Sequence, residues 1–188
     1  TIFRLCDFRS KKVLEIGPAE GHFVKEASKF TGDITAVDAV AKLPFADRSF
    51  DIVLSRWIIQ NMDDIEMAVK EMCRVAKSRV IIVLPSDEGD ETGILEIKFP
   101  GKSETRKNRV ADVKKRVSEC GFEVREERRL LNFVFPDLDE TVGIFSALSF
   151  GNKLSSKETS ELRQFLSDRK REDGIHVIQG TSFICGHK

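Results

Sequence analysis

The sequence predicts an α/β fold built on a mostly parallel sheet, and three observations carry that expectation. Short apolar runs alternate with amphipathic stretches, the pattern of strands joined by crossover helices. The run Val80–Leu84 is branched and apolar throughout, as in a strand covered on both faces. The run Lys12–Ile16 ends at Gly17, in a turn of small residues that leads into a helix.

The elements follow in order. Lys12–Ile16 is the first strand. His22–Phe30 is a helix with Phe23, Val24, Ala27 and Phe30 on one face. Thr31-Gly32-Asp33 is a turn, Ile34–Val37 the second strand, and Asp38 stands at its carboxyl end. Phe50–Leu54 is the third strand. Asp63 and Asp64 can cap the next helix, whose face is Ile65, Ala68, Val69, Met72, Cys73 and Ala76. After Val80–Leu84 the chain from Ser86 to Lys107 reads as loop, with a short strand at Ile94–Phe99. A helix with Val110, Val113, Val117 and Cys120 on one face stops at Gly121. Phe122–Phe135 contains another strand. Helices Asp137–Phe150 and Ser155–Lys170 each open with a capping-box pattern. Ile175–Cys185 is the last strand, with Gly180 as a bulge. The expected organisation is one domain over residues 1–188, with 136–170 a helical insertion before the last strand.

With 188 residues the chain is long enough to bury a real core. Lys+Arg and Asp+Glu both number 31, so the net charge of +0 calls for no polyanionic partner. No apolar run has the length of a membrane span, and no secretion signal is visible. Cys6, Cys73, Cys120 and Cys185 are widely spaced and lack a Cys-x-x-Cys metal pattern. They read as small buried hydrophobes in a reducing cytoplasm, and no metal site is expected.

The chemistry concentrates in Val13–Phe23. A turn without bulky side chains lets a ligand approach the backbone, and the helix behind it offers free N–H groups. Glu15 precedes Gly17 by two residues, and a carboxylate there repels a pyrophosphate but suits a cationic group. Asp38, about twenty residues beyond the turn, can accept both hydroxyls of a ribose, as the acid of a dinucleotide fold does.

These residues resemble those of the class I S-adenosylmethionine-dependent methyltransferases, in particular the broad type 11 group. The family's acid-x-Gly-x-Gly-x-Gly turn is matched by Glu15, Gly17, Ala19 and Gly21. Its Leu-Pro-Phe-x-Asp-x-Ser-Phe-Asp-x-Val segment is matched by Leu43–Val53. Glu71–Lys77 followed by Val80–Leu84, and Cys120-Gly121-Phe122, continue the likeness to about Phe135. The resemblance implies a Rossmann-like, doubly wound sheet with an antiparallel C-terminal strand. It implies methyl transfer from S-adenosylmethionine, with S-adenosylhomocysteine as product. The cofactor contacts it implies are Glu15, Gly17, Pro18, Ala19, Gly21, Asp38, Leu43 and Ser55. Glu15 and Gly17 face the methionine end, and Asp38 faces the ribose.

The sequence also departs from that pattern. Ala19 replaces the middle glycine. Only about four residues separate Asp38 from Leu43, where relatives have a helix and a strand whose acid contacts the adenine amine. The expected sheet therefore lacks its usual edge strand. Its order is Ile34–Val37, Lys12–Ile16, Phe50–Leu54, Val80–Leu84, the last strand, then the strand within Phe122–Phe135. Asp47 is a candidate substitute for the adenine acid and, equally, a turn residue.

The acceptor is expected beyond the carboxyl ends of the strands, lined by Ser55, Arg56, Trp57, Gln60 and Asn61. Trp57 can cover an acceptor or simply pack at the strand–helix junction. His22 is an exposed first-turn residue rather than a base, and His176 is structural. The chain has no Tyr, and no Asn-Pro-Pro-Tyr-like motif follows the third strand, which disfavours a nucleobase amine. Lys102–Arg116 reads as a polar helix face rather than an RNA surface. The acidic stretch Asp87–Glu91 reads as a solvated loop. A small-molecule acceptor leads, no catalytic base is identified, and a homo-oligomer stays open. The alternatives are a catalytically weak methyltransferase-like binding module and a nicotinamide dehydrogenase, which the glycine spacing and Glu15 disfavour.

Overall fold

The structure, a computed structural model, describes residues 2–17, 21–38, 42–62, 64–90, 94, 103–147 and 154–188. Its strands are β1 (Val13–Ile16), β2 (Ile34–Val37), β3 (Phe50–Arg56), β4 (Ala76–Gly89), β5 (Glu123–Phe135), β6 (Lys170–Arg171) and β7 (Gly174–His187). Its helices are α1 (His22–Ala27), α2 (Ile65–Val75), α3 (Ser103–Glu119), α4 (Leu138–Ala147) and α5 (Ser156–Ser167). Short 3-10 turns occupy Ile2–Arg4 and Ile59–Asn61.

The sheet order is β2-β1-β3-β4-β7-β5, with β6 paired to β7. β1 pairs in parallel with β2 and β3, and β3 in parallel with β4. This is the expected mostly parallel α/β sheet, and the expected strand order. β2 ends the path, with no strand beyond it among the described residues.

The chain divides into two compact units. The first comprises Thr1–Leu84, Arg109–Glu127 and Ser182–Lys188; the second comprises Pro85–Asn108 and Arg128–Thr181. β4, β5 and β7 contribute residues to both.

In the first unit strand side chains alternate between two cores, as period-two geometry requires. Leu14, Ile16, Val53, Val80, Ile82 and Ile184 face α2 and α3. Val13, Ile52, Leu54, Ile81, Val83 and Phe183 form the opposite core with Phe23 and Ala27 of α1. In the second unit Val142 and Phe145 of α4 pack with Leu162 and Leu166 of α5 and with Ile175 and Val177 of β7. Among the described residues no helix is long and apolar enough to cross a membrane.

Several boundaries differ from the sequence reading. α1 stops at Ala27, and Ser28–Phe30 form a turn. α2 stops at Val75, so Ala76 opens β4 instead of closing the helix. β4 continues through Ser86–Gly89, where a loop was expected. Acidic residues tolerate that strand because Asp87 and Glu88 lie beside Arg128, at 3.8 and 3.3 Å. α5 ends at Ser167, and Lys170 instead opens the β6–β7 hairpin. Gly180 lies inside a continuous β7, where a Cβ would meet Ser86 Oγ at 2.2 Å and Glu88 O at 2.4 Å. Close backbone approach demands glycine there. Asp64 caps α2 by accepting from Met67 N at 2.8 Å, whereas Asp63 lies outside the described residues. Asp137 caps α4 through Glu140 N at 2.9 Å, and Ser155 with Glu158 forms the full capping box on α5. The expected strand Ile94–Phe99 lies outside the described residues apart from Ile94.

Candidate active site

The carboxyl ends of β1, β2 and β3 meet in one row. Ile16 pairs with Val37 on one side and Ser55 on the other. Gly17 N–H then donates to Val37 O at 2.8 Å, which ties the start of the turn to the end of β2. Gly17 has φ +71°, and a Cβ there would press on Ile58 at 3.0 Å. Gly21 has φ +73° and is the N-cap of α1, with no side-chain cap. The turn therefore needs glycine at both ends for backbone reasons. Pro18 and Ala19, between them, lie outside the described residues, as does the side chain of His22.

Glu15 points into the α1-side core, where alternation would put an apolar residue, and it is fully buried. Arg56, at the end of β3, reaches it with two hydrogen bonds to one oxygen: Nε to Oε1 at 3.0 Å and Nη2 to Oε1 at 2.7 Å. The Arg56 guanidinium also lies 5.0 Å from the centre of the Phe23 ring. The second oxygen, Oε2, is buried and has no hydrogen-bond partner among the described residues. Burial pushes the Glu15 carboxyl above its ordinary range, and the Arg56 hydrogen bonds and charge pull it partly back. An orphaned carboxylate oxygen in an apolar wall is costly unless something cationic or hydrogen-bonding meets it.

Asp38 is exposed at the end of β2 and has no ion pair or hydrogen bond among the described residues. Ser55 is buried on the α2 side of the sheet, and among the described residues its Oγ is unpartnered; Gln60 Oε1 is likewise buried and unpartnered among them. The backbone carbonyl of Gln60 accepts from Arg109 Nη1. Trp57 adopts φ +51°, rare for a bulky residue, while its N–H donates to Val83 O at 2.9 Å. Its ring packs against the α1-side core.

Leu43 is buried in the α2-side core, and a polar clamp holds its backbone. Its N–H donates to Glu71 Oε2 at 2.9 Å, and its carbonyl accepts from Arg74 Nη2 at 3.1 Å. Arg74 also donates to Phe45 O at 2.8 Å and Asp47 Oδ1 at 2.7 Å. It is bound to both oxygens of Glu71, at 2.7 and 2.8 Å. Asp47 thus joins the clamp, a structural contact for its largely exposed carboxylate. The Arg74 guanidinium holds the Glu71 carboxyl below its ordinary range.

The structure therefore aligns the strand ends that carry Glu15, Gly17, Asp38 and Ser55, with Glu15 and Ser55 on opposite faces of the sheet. It sets Leu43 in the core nearby. Arg56, expected among the acceptor-lining residues, is also the partner of Glu15. Sequence alone carried no sign of this pair, because the β1–β3 register decides which residues share a face. Of the basic residues on α3, Lys114 pairs with Glu126 at 2.6 Å, Lys115 with Glu119 at 3.8 Å, and Arg116 with Asp112 at 2.8 Å and with Glu66. Such pairing fits a solvated helix face. His176 is held between Asp173 Oδ1 at 2.7 Å and Asn132 Nδ2 at 3.0 Å. Among the described residues no group of three or more His, Cys, Asp or Glu side chains is arranged to hold a metal.

Residues 14–84 match the sequence profile of a methyltransferase domain family. No curated protein sequence matches the chain. Among solved structures, the YcgJ protein of Bacillus subtilis is 18% identical with a TM-score of 0.69, covering 100% of this chain and 96% of that one. A putative methyltransferase of Bacillus halodurans is 16% identical, with a TM-score of 0.68 and coverage of 100% and 96%. A putative methyltransferase from an antibiotic biosynthesis pathway of Anabaena variabilis is 14% identical, with a TM-score of 0.69 and coverage of 100% and 95%. At these identities the structures establish the fold, and the family match lies on the segment that builds the glycine turn and the clamp. Residues 14–84 are thus similar to a methyltransferase domain, on a chain that shares the fold of these structures.

Proposed function

We propose that the chain transfers the methyl group of S-adenosylmethionine to a small-molecule acceptor at the carboxyl ends of β1–β3. The observation that carries the site assignment is the buried, unpartnered Oε2 of Glu15 beside the Gly17 turn. An ammonium meeting Oε2 would supply the missing partner, so the residues present fit the methionine end of the cofactor. Asp38, exposed and unengaged, is suited to accept hydrogen bonds from ribose hydroxyls. Gly17 and Gly21 bring no side chain to the two ends of the turn, and Pro18 and Ala19 are proposed as further cofactor contacts from the sequence. Leu43 is buried in the α2-side core and offers no surface to the adenine side, and Ser55 Oγ is a polar anchor at the end of β3.

The bound sulfonium supplies an activated methyl group; the protein's task is to align the acceptor with it and exclude water. Ser55 and Gln60, with unmet polar atoms, are the candidate acceptor-facing groups. No proton transfer is assigned, because a base is needed only for an acceptor that arrives protonated. We read the whole chain as one methyltransferase-like domain, with residues 136–170 a helical insertion before the last strand. Four free cysteines suit a reducing compartment such as the cytoplasm.

Titration calorimetry with S-adenosylmethionine, S-adenosylhomocysteine and NAD tests the reading. Binding of the first two is expected, and Asp38→Ala should weaken it by about 1–3 kcal/mol through lost charged hydrogen bonds. Unchanged affinity in that variant would move the ribose contact elsewhere. Failure of both to bind would favour a non-catalytic module.

A further inference from the structure

A recess of about 530 Å³ in the first unit involves none of the residues assigned to the methyl-transfer site. Its wall carries Arg4 beside the N-terminal 3-10 turn, Arg79 near the start of β4, Arg125 near the start of β5, and His187 at the end of β7. Arg79 is aligned with Ile52, which is in turn aligned with Val13. The glycine turn starts beyond Ile16, three residues further along, which at strand rise is about 10 Å away. The recess therefore lies toward the opposite end of the parallel strands from the cofactor site.

Its electrostatics are unbalanced. Arg79 is half-buried in a central strand, on the side of its apolar neighbours Ile81 and Val83. Neither Arg79 nor Arg4 has an ion pair or hydrogen bond to a described residue. Arg125 has only Glu123 at 3.5 Å, with both side chains largely exposed, a contact of little worth. The two acids in the wall are engaged: Glu126 is held by Lys114 at 2.6 Å and Ser182 Oγ at 2.9 Å, and Glu127 also has a partner. The neighbouring thiols do not compensate. Burial pushes Cys6 and Cys185 up to about 11, although Arg79 pulls both down.

We propose that this recess is an anion site that takes a phosphoryl group, with Arg79 as its anchor and Arg4 and Arg125 at its mouth. Guanidinium groups match phosphate oxygens two at a time, and this is the chemistry arginine serves best. The volume falls within the range of small-molecule pockets, so there is room for a phosphomonoester as well as the bare ion.

The test is calorimetry on the whole chain with inorganic phosphate and with glycerol 3-phosphate, at ionic strength fixed with potassium chloride. Saturable binding is expected, at least tenfold weaker in Arg79→Gln and several-fold weaker in Arg4→Gln. Tighter binding of the ester assigns the site to a phosphorylated metabolite, and tighter binding of the free ion assigns it to phosphate. Equal affinity in wild type and Arg4→Gln, or no saturable binding of either probe, overturns the proposal. Thermal unfolding checks the fold of each variant. Should Arg79→Gln unfold, Arg79→Lys keeps the charge and loses the fork, and unchanged affinity there also counts against the proposal. Cofactor binding plays no part in the readout, so this result is independent of the methyl-transfer reading.

Discussion

Two polar clusters in the first unit differ in how fully they are satisfied. At the Leu43–Asp47 clamp, both Glu71 oxygens, the Arg74 guanidinium and the carbonyls of Leu43 and Phe45 all have partners. Around the carboxyl ends of β1 and β3, Glu15 Oε2 on one face of the sheet, Ser55 Oγ on the other and Gln60 Oε1 in the turn that follows β3 are buried without any among the described residues. The first cluster is closed on itself and holds the chain. The second is open, and its unmet groups are what a ligand would complete. A satisfied network marks structure, and the unmet groups at the strand ends are the ones the proposed site would use.

Breaking the closed cluster should have the largest effect. Arg74→Ala leaves the mostly buried Glu71 carboxylate without its cation and frees the Leu43–Asp47 backbone. A loss of about 3 kcal/mol is expected in urea unfolding. A loss below about 1 kcal/mol would mean that the clamp is ornamental to the fold.

Changing Glu15 should affect binding more than folding. Its carboxyl is held above the ordinary range in the folded chain. Its contribution to stability is therefore present at acid pH and is lost as pH rises through the ordinary carboxylate range toward the folded value. Glu15→Gln should remove that decline while weakening S-adenosylhomocysteine binding roughly tenfold, through loss of a charge-assisted contact. Binding of the ammonium to wild type should also release protons near the raised value, seen as a buffer-dependent calorimetric heat. A variant with unchanged affinity would remove Glu15 from the methionine end.

The smallest effect is expected at Ser55. Its Oγ has no partner to lose, so Ser55→Ala should change stability by no more than about 0.5 kcal/mol. Cofactor or acceptor affinity should fall only a few-fold in the same calorimetric assay. A large stability loss would reveal a hydroxyl that works in the fold rather than the site.

Much of the fold was legible because periodicity and capping are local. Val13–Ile16, Ile34–Val37 and the Ser155 capping box stand where their patterns put them. Boundaries were less legible where long-range pairing overrides propensity. Acidic Asp87 and Glu88 remain in β4 because Arg128, forty residues on in sequence for Glu88, lies beside them. Glu15, Gly17 and Asp38 could be read as site candidates from type and spacing alone. The partnership of Glu15 with Arg56 could not.

The sequence by itself determined the alternation of strands and helices, the glycine turn, and which acids stand at strand ends. Each of these depends on neighbours a few residues away. Only the tertiary structure decided that Arg56 binds one Glu15 oxygen and leaves the other bare, that Arg74 closes the clamp, and that three arginines from separate elements share a recess. Those facts depend on sheet register and face, which bring together residues 41 positions apart for Glu15 and Arg56. Register is set by the packing of whole strands, and no local pattern encodes it.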